Sequence, residues 1–500
     1  MNETYLIAVD QGTSGTKTVL FDRRGRIASK GSCPLISSYP HPGYVEQDPE
    51  EIYQSVIDSV RQCLENFRSQ TMKTPDIAAC GISNQRETCL LWDKAGKPLC
   101  PAVVWQCKRS VDICARLKNT EIEEQVNQKT GLLIDPYFSG TKLLWLCEAN
   151  PRIKDAVRSG SVYFGTIDTW LLFKLTGGLR YYTDYTNASR TLLFNIDTLQ
   201  WDSHLLDCFS LQGLNLPQVR PSTHFFGTSD FQGLLSKPIK ICSMIGDSHA
   251  AAVGEGCFSV GAAKATLGTG CSILLNTGSR RIPSKQGMVT TICWSKQDRV
   301  DYAMEGVIVT CGAAIQWLRD QLGLFLDSRD TAEMAQSIQN SSVVLIPAFS
   351  GLGTPHWRMD LKAAIAGLTF GCNKAHVVRA ALESIPIQIK EVLDVMLADS
   401  GIPLAGLHVD GGITANTFVM QFLADLLNIN VAYIGIEEVS ALGAAYLAGL
   451  QAGVFNSLEE LSKFYQNQTL FSPGPGCAQA KDAYGRYQKY LRMFLQTGSE

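Results

Sequence analysis

Short apolar runs alternate along the chain with amphipathic stretches, and this alternation sets the elements the sequence predicts. Tyr5 to Val9 is an apolar run that stops at Asp10, and a second run, Thr18 to Phe21, follows Gln11, Gly12, Thr13, Ser14, Gly15, Thr16 and Lys17. Two strands joined by a glycine-containing turn fit this pattern, because glycine takes positive φ and lets a ligand come close to the backbone. Alone, the turn reads first as an ordinary hairpin and only second as a phosphate cradle. Ala265 to Leu267, then Gly268, Thr269, Gly270 and Cys271, then Ser272 to Leu275, repeat the design. Leu407 to Val409, Asp410, Gly411 and Gly412 lead into an amphipathic helix that begins near Asn416. Two glycine hairpins half a chain apart, with a late strand-Gly-Gly-helix junction, point to two similar lobes facing one nucleotide.

Between the hairpins, Asp48 and Pro49 open a helix whose apolar positions Ile52, Val56, Val60, Cys63, Leu64 and Phe67 follow helical spacing. Ile77 to Ile82 reads as a buried strand. Ile239 to Ile245 reads as another, ending at Gly246 and Asp247 before the helix-like Ser248, His249, Ala250, Ala251 and Ala252. Elements alternating in this way predict an α/β layered fold. Pro386, inside the helix-like stretch Ala380 to Ala398, predicts a kink or a break there. With no Pro- or Ser-rich linker to mark a boundary, symmetry places it just before the second hairpin, giving domains at 1–255 and 256–500.

Composition narrows the function. Hydrophobic residues at 45% and charged residues at 18% suit a large core and exclude a disordered, collagenous or coiled-coil chain. With 44 Lys plus Arg against 47 Asp plus Glu, the net charge is 44 − 47 = −3, so no basic surplus favours nucleic acid or a membrane surface. No apolar stretch reaches the ~20 residues of a membrane span, and the N-terminus shows no signal-peptide pattern, so the expectation is a cytoplasmic protein. The 16 cysteines are scattered without a CxxC pair, and the seven histidines form no ligand cluster. Reduced thiols and no protein-made zinc site are expected.

At motif level the chain resembles bacterial glycerol kinases and, with them, the FGGY carbohydrate kinase family. The likeness is carried in order by Asp10 to Thr13, Gln85 to Thr88, Trp105 to Cys107, Gly131 to Gly140, Phe164 to Trp170 and Thr183 to Arg190. It continues through Gly268 to Cys271, Gly306, Gln316 to Asp320, Gly351 to Pro355, Val409 to Gly412 and Ala441 to Gly449. The resemblance implies two actin-like domains with ribonuclease-H-like cores, closing as a clamshell around an inter-domain cleft. It also implies ATP and Mg²⁺, a small polyol substrate, phosphoryl transfer to a primary hydroxyl, and a homodimer or homotetramer.

Phosphoryl transfer needs a metal, donors around the moving phosphate and a carboxylate near the attacking hydroxyl. By resemblance, Asp10 and Asp247 hold Mg²⁺, and Asp247 is also the general base; read locally, they are equally an Asp-turn and a helix N-cap. Gly12, Thr13, Ser14, Gly15 and Lys17 cradle phosphate from one lobe, and Gly268, Thr269 and Gly270 from the other. Gly312, Gln316, Gly412 and Asn416 line the adenine and ribose side. Arg86, Glu87, Trp105, Tyr137 and Asp247 form the substrate shell, with carboxylates accepting hydroxyl protons, Arg86 and Tyr137 donating, and Trp105 covering the carbon chain.

Three positions depart from the glycerol kinase pattern. Lys17 replaces Arg, Ser248 replaces Gln, and Ser272 replaces Phe. The two serines predict a larger, more polar pocket, which opens a second substrate reading: a tetritol, pentitol or ketopentose such as xylulose. Thr228 to Lys240 holds Gly233 but no Arg, so the sugar-bisphosphate control known in the family is expected to be absent, and His224 is out of register with the family's phosphorylated histidine. An ATP-driven switch of the actin or chaperone type is the non-enzymatic alternative, and the substrate shell argues against it.

Overall fold

The computed structural model describes residues 4–465 and 468–497. In the first lobe the chain forms β1 (Thr4–Gln11), β2 (Gly15–Phe21), β3 (Ile27–Pro34), α1 (Pro49–Thr71), β4 (Asp76–Asn84), β5 (Thr223–Ser229), β6 (Ile239–Gly246) and α2 (Asp247–Gly254). The second lobe contains β7 (Ala262–Leu267), β8 (Cys271–Gly278), β9 (Val289–Lys296), β10 (Arg299–Ile308), α3 (Gly312–Asp320), α4 (Lys374–Ser400) and β11 (Gly406–Asp410). It continues through α5 (Thr417–Leu427), β12 (Val431–Tyr433), α6 (Val439–Gln451) and β13 (Thr469–Phe471).

Among the described residues, six strands make the first-lobe sheet in the order β5-β6-β4-β1-β2-β3, and seven make the second in the order β9-β10-β8-β7-β11-β12-β13. Each has the same plan. An antiparallel meander starts from a central strand, β1 or β7, whose other edge carries two parallel strands, β4 and β6 or β11 and β12. The repeat inferred from the glycine hairpins is therefore a repeat of whole sheets. A smaller four-stranded sheet, built from Glu46–Gln47, Cys89–Trp92, Ala102–Val103 and Tyr163–Thr166, adds a layer to the first lobe.

Local signals explain the elements. Asp48 caps α1 by accepting from the Glu50 and Glu51 amides, and Asn416 caps α5 by accepting from Val419 N. Both helices begin where the sequence predicts. Pro386 behaves differently: α4 runs unbroken through it for 27 residues. Ile385, Pro386 and Ile387 are all buried in that helix, so the surrounding core holds it across the lost amide.

Helices α2 and α6 lie between the sheets. The buried cluster around them takes Leu6 and Ala8 from the first sheet, Leu274 and Trp294 from the second, and Ala250, Val253, Leu442 and Ala445 from the helices. Contact here is backbone to backbone. A Cβ on Gly443 would stand 1.8 Å from the Ala250 carbonyl oxygen, and one on Gly81 would stand 2.3 Å from that of Ala444. These glycines let the helices seat against each other and against β4, which sets how the lobes meet. No described helix is long and apolar enough to cross a membrane.

Candidate functional site

Asp10 is the penultimate residue of β1, where the parallel register places it beside Ser83 and the antiparallel register opposite Lys17. Ser83 Oγ donates to Asp10 Oδ1 at 2.8 Å. The Asp10 carboxyl is pushed up to about 6, by burial first and then by the charges of Asp247 and Glu438, while Ser83 and Lys17 oppose the rise. The negative charge of Asp247 therefore reaches the Asp10 carboxyl. Lys17 is engaged elsewhere: its Nζ is 2.8 Å from Glu438 Oε2 at the start of α6.

Asp247 is the first residue of α2, immediately after β6. Its Oδ1 accepts from Ser248 N at 2.6 Å and lies 3.3 Å from Arg86 Nε, and its side chain is 41% exposed, which leaves room for a ligand. Behind it stands a buried ion network. Arg86 Nη1 is 3.0 Å from Glu305 Oε1, Arg190 Nε donates to Glu87 Oε1 at 2.5 Å, and Arg190 Nη1 pairs with Glu305 Oε2. Two guanidinium groups thus balance two carboxylates, the condition under which buried charges are tolerated. Burial would raise the Glu305 carboxyl, but Arg190 first and Arg86 second hold it well below the usual range. For Glu87 burial prevails over both arginines and its carboxyl is raised.

The same network fixes Glu87 in an unusual backbone state. Its φ is 60°, a left-handed value that non-glycine residues rarely take. Ser139 Oγ donates to the Glu87 carbonyl at 2.9 Å while Arg190 clamps the carboxylate. Trp105 Nε1 donates to Thr13 Oγ1 at 2.8 Å, joining the substrate shell to the first glycine turn, and its ring meets Tyr137 edge-on at 5.5 Å. Burial raises the Tyr137 hydroxyl far above its ordinary value, so it remains an O–H donor. Arg86, Glu87, Trp105, Tyr137 and Asp247 therefore share one site.

On the facing lobe, Gly312 N donates to Gly268 O, and Cys311 N and Ala313 N donate to Thr269 O, at 2.9–3.1 Å, so the start of α3 holds the second glycine turn. Gly411, with φ 94°, brings the end of β11 against Leu267: a Cβ there would be 2.4 Å from the Leu267 carbonyl oxygen. Gly412 instead faces open space. Ser272 Oγ is 3.1 Å from Ser248 Oγ, linking the lobes beside Asp247. Two residues expected on the nucleotide side are placed as follows. Asn416 is a helix cap whose Nδ2 donates to Thr331 Oγ1 at 2.9 Å, and Gln316 is exposed on α3.

Residues 5–254 match the model of the FGGY family of carbohydrate kinases, N-terminal domain, and residues 263–452 match that of the C-terminal domain. The chain belongs to the FGGY family of carbohydrate kinases. It is 43% identical over 497 residues, 99% of both chains, to a glycerol kinase of Xanthomonas campestris pv. campestris. It is 46% identical to one of Brevibacillus brevis, over 95% of this chain and 94% of that one. Among solved structures, glycerol kinase of Plasmodium falciparum with ADP superposes with a TM-score of 0.92 at 35% identity, covering 99% of each chain. Xylulose kinase of Lactobacillus acidophilus, at a TM-score of 0.87 and 22% identity over 99% of each chain, shares the fold.

Within this FGGY site, sequence reasoning missed Glu305, Arg190, Ser83, Glu438 and Lys264. Glu305 was visible in principle, as an acid among the apolar positions of β10. Arg190 lies inside the Thr183 to Arg190 motif, and the buried Asp184 that caps the helix Tyr185–Ala188 sets the chain path to it. Lys264 was likewise visible as a lone lysine in the apolar strand β7, whereas Glu438 carries no local signal, because its partners Lys17 and Lys30 come from the first lobe.

Proposed function

We propose that this FGGY kinase transfers the γ-phosphate of ATP to a primary hydroxyl of glycerol, giving glycerol 3-phosphate. The observation that carries the reading is Asp247: a carboxylate at the lobe junction, beside Arg86, whose charge reaches Asp10, and next to Ser248, which meets Ser272 of the facing lobe. The full-length likeness to chains named glycerol kinase supports glycerol as acceptor.

The residues divide the work. Asp247 accepts the proton of the attacking hydroxyl, and Arg86, beside it and backed by Glu305, keeps that carboxylate oriented. Glu87 and Tyr137 hold the remaining hydroxyls, and Trp105 covers the carbon chain. Gly12 N and Gly268 N are committed to Gly15 O and Gly270 O within their turns, so the backbone amides of Thr13, Thr269 and Gly270 receive the phosphates. Asp10 and Asp247 would hold Mg²⁺, and their oxygen ligands suit a hard cation that neutralises triphosphate charge when bound. Closure of the lobes excludes water from the transfer.

An ATP-consumption assay across a polyol panel tests this reading. ATP use that rises with glycerol and yields glycerol 3-phosphate supports it; slow hydrolysis indifferent to every polyol points instead to a nucleotide-driven switch.

A further inference from the structure

Lys264 is a buried lysine that the reaction above does not use. It lies on β7, 1% exposed, and its Nζ donates to Ser248 Oγ at 2.9 Å and to Thr266 Oγ1 at 2.7 Å. Lys264 and Thr266 share a face of β7, and Ser272 is the cross-strand partner of Thr266 on β8. Ser248, next to Asp247 on α2, completes the group from the opposite side, 3.1 Å from Ser272 Oγ. Both serine side chains are partly exposed.

Proton counting makes this cluster directional. An ammonium only donates, whereas each serine hydroxyl has one proton and two lone pairs. Ser248 Oγ receives a proton from Lys264, and one serine proton is taken up between Ser248 and Ser272, whichever of them donates. One O–H is left over. Among the described residues neither hydroxyl has a further protein partner, so that proton is available to a ligand in the cleft beside Asp247.

A three-carbon polyol offers three oxygens, and Asp247, Arg86 with Glu87, and Tyr137 already provide for three. A fourth donor calls for a fourth oxygen. We propose that Lys264, Ser248 and Ser272 form a subsite for an additional hydroxyl, so that four-carbon polyols are substrates alongside glycerol. Lys264 is the positioning residue, and the serines make the contact. The inference rests on the kinase reading above and extends its substrate range.

The test compares kcat/KM for erythritol and glycerol at saturating ATP, in the natural enzyme and in Ser272→Ala, Ser272→Phe and Lys264→Met. The erythritol value is expected to lie within about thirtyfold of the glycerol value, a gap of the size that one or two pocket contacts produce. Ser272→Ala and Ser272→Phe are each expected to lower the erythritol-to-glycerol ratio at least about fivefold, the discrimination lost when one polar contact is removed. Lys264→Met is expected to lower the same ratio through the KM for erythritol. A natural ratio below one thirtieth, or a Ser272→Ala ratio that moves less than fivefold, overturns the subsite; an equal loss with both acceptors assigns the cluster to the phosphates and also overturns it. Should Lys264→Met fail to fold, the serine variants still decide. Absence of phosphorylation with either polyol defeats the kinase reading itself, which separates the two failures.

Discussion

In the first lobe the strands flanking the glycine turn place Asp10 opposite Lys17, whereas at the corresponding place in the second lobe Thr266 stands opposite Ser272. The parallel neighbours reverse the chemistry, with Ser83 beside Asp10 but Asp410 beside Thr266. Each lobe thus pairs one acid with one hydroxyl across the same two strands, but on opposite strands. The turns themselves are built alike. A Cβ on Gly15 would stand 2.7 Å from the Cys33 carbonyl oxygen, and one on Gly270 would stand 2.7 Å from that of Ile308. One backbone plan therefore carries two chemistries: the first lobe sets an acid opposite a lysine at its turn, and the second sets two hydroxyls opposite each other.

Asp247 gives the largest test of that division, because it stands at the end of β6 whereas its second-lobe counterpart, β12, ends at Tyr433. Asp247→Asn is expected to lower turnover by about 10²- to 10⁴-fold, the usual contribution of a positioned base. Calorimetric titration is expected to show nucleotide binding retained. Turnover within about tenfold of the natural enzyme would remove the first lobe's claim to the chemistry.

The equivalence of the turns is tested by Gly15→Ala and Gly270→Ala. Each new methyl meets a backbone oxygen that cannot rotate away, so each is expected to cost about 1–3 kcal/mol in denaturant unfolding, the range of overpacked sites. A large cost for one and none for the other would show that the two hairpins do not bear the same constraint.

Much of this plan was legible in the chain. Apolar runs bounded by Gly-containing turns gave β1, β2, β7 and β8, Asp48 and Asn416 marked helix starts, and the strand-Gly-Gly-helix junction lies where expected, against Leu267. These features are local, and local signals survive in sequence. The buried Arg86-Glu305-Arg190-Glu87 network was not legible, because its members come from strands and loops of both lobes and each alone resembles a surface charge. Pro386 shows the reverse limit: a strong local signal for a break yields where the packed core holds the helix.

Protonation offers a smaller test of how the first lobe stores acids. Asp168, in the layer that leads to Arg190, has its carboxyl pushed up to about 7 by burial first and by Asp184 second, against hydrogen bonds from the Thr166 and Thr183 hydroxyls. An acid raised on folding binds its proton more tightly in the folded chain. Its contribution to stability is therefore full below about pH 4 and lost as pH rises through about 7. Stability of the ligand-free protein is expected to fall across that window by at least about 1 kcal/mol, and Asp168→Asn to flatten the fall. An unchanged slope in Asp168→Asn would assign the titration to other groups.

The smallest effect concerns Lys17, the half-exposed cation at the first lobe's turn. Lys17 projects from the strand partner of Asp10 and is tied to Glu438, while Lys30 on β3 pairs with the neighbouring Glu437 at 2.9 Å. Lys17 is 50% exposed, so its ion pair is screened and Glu438→Gln is expected to cost less than about 1 kcal/mol of stability. Its effect on nucleotide has a definite sign. Glu438 adds negative charge near Asp10 and occupies the ammonium nearest the first turn, and both actions oppose an arriving triphosphate. Neutralising it is therefore expected to lower the KM for ATP by about two- to fivefold, a change worth up to about 1 kcal/mol, with the effect shrinking as salt is raised. A KM for ATP that rises in Glu438→Gln would mean that Glu438 assists the nucleotide, and the first lobe's charge would then have to be read as one acidic site reaching into α6.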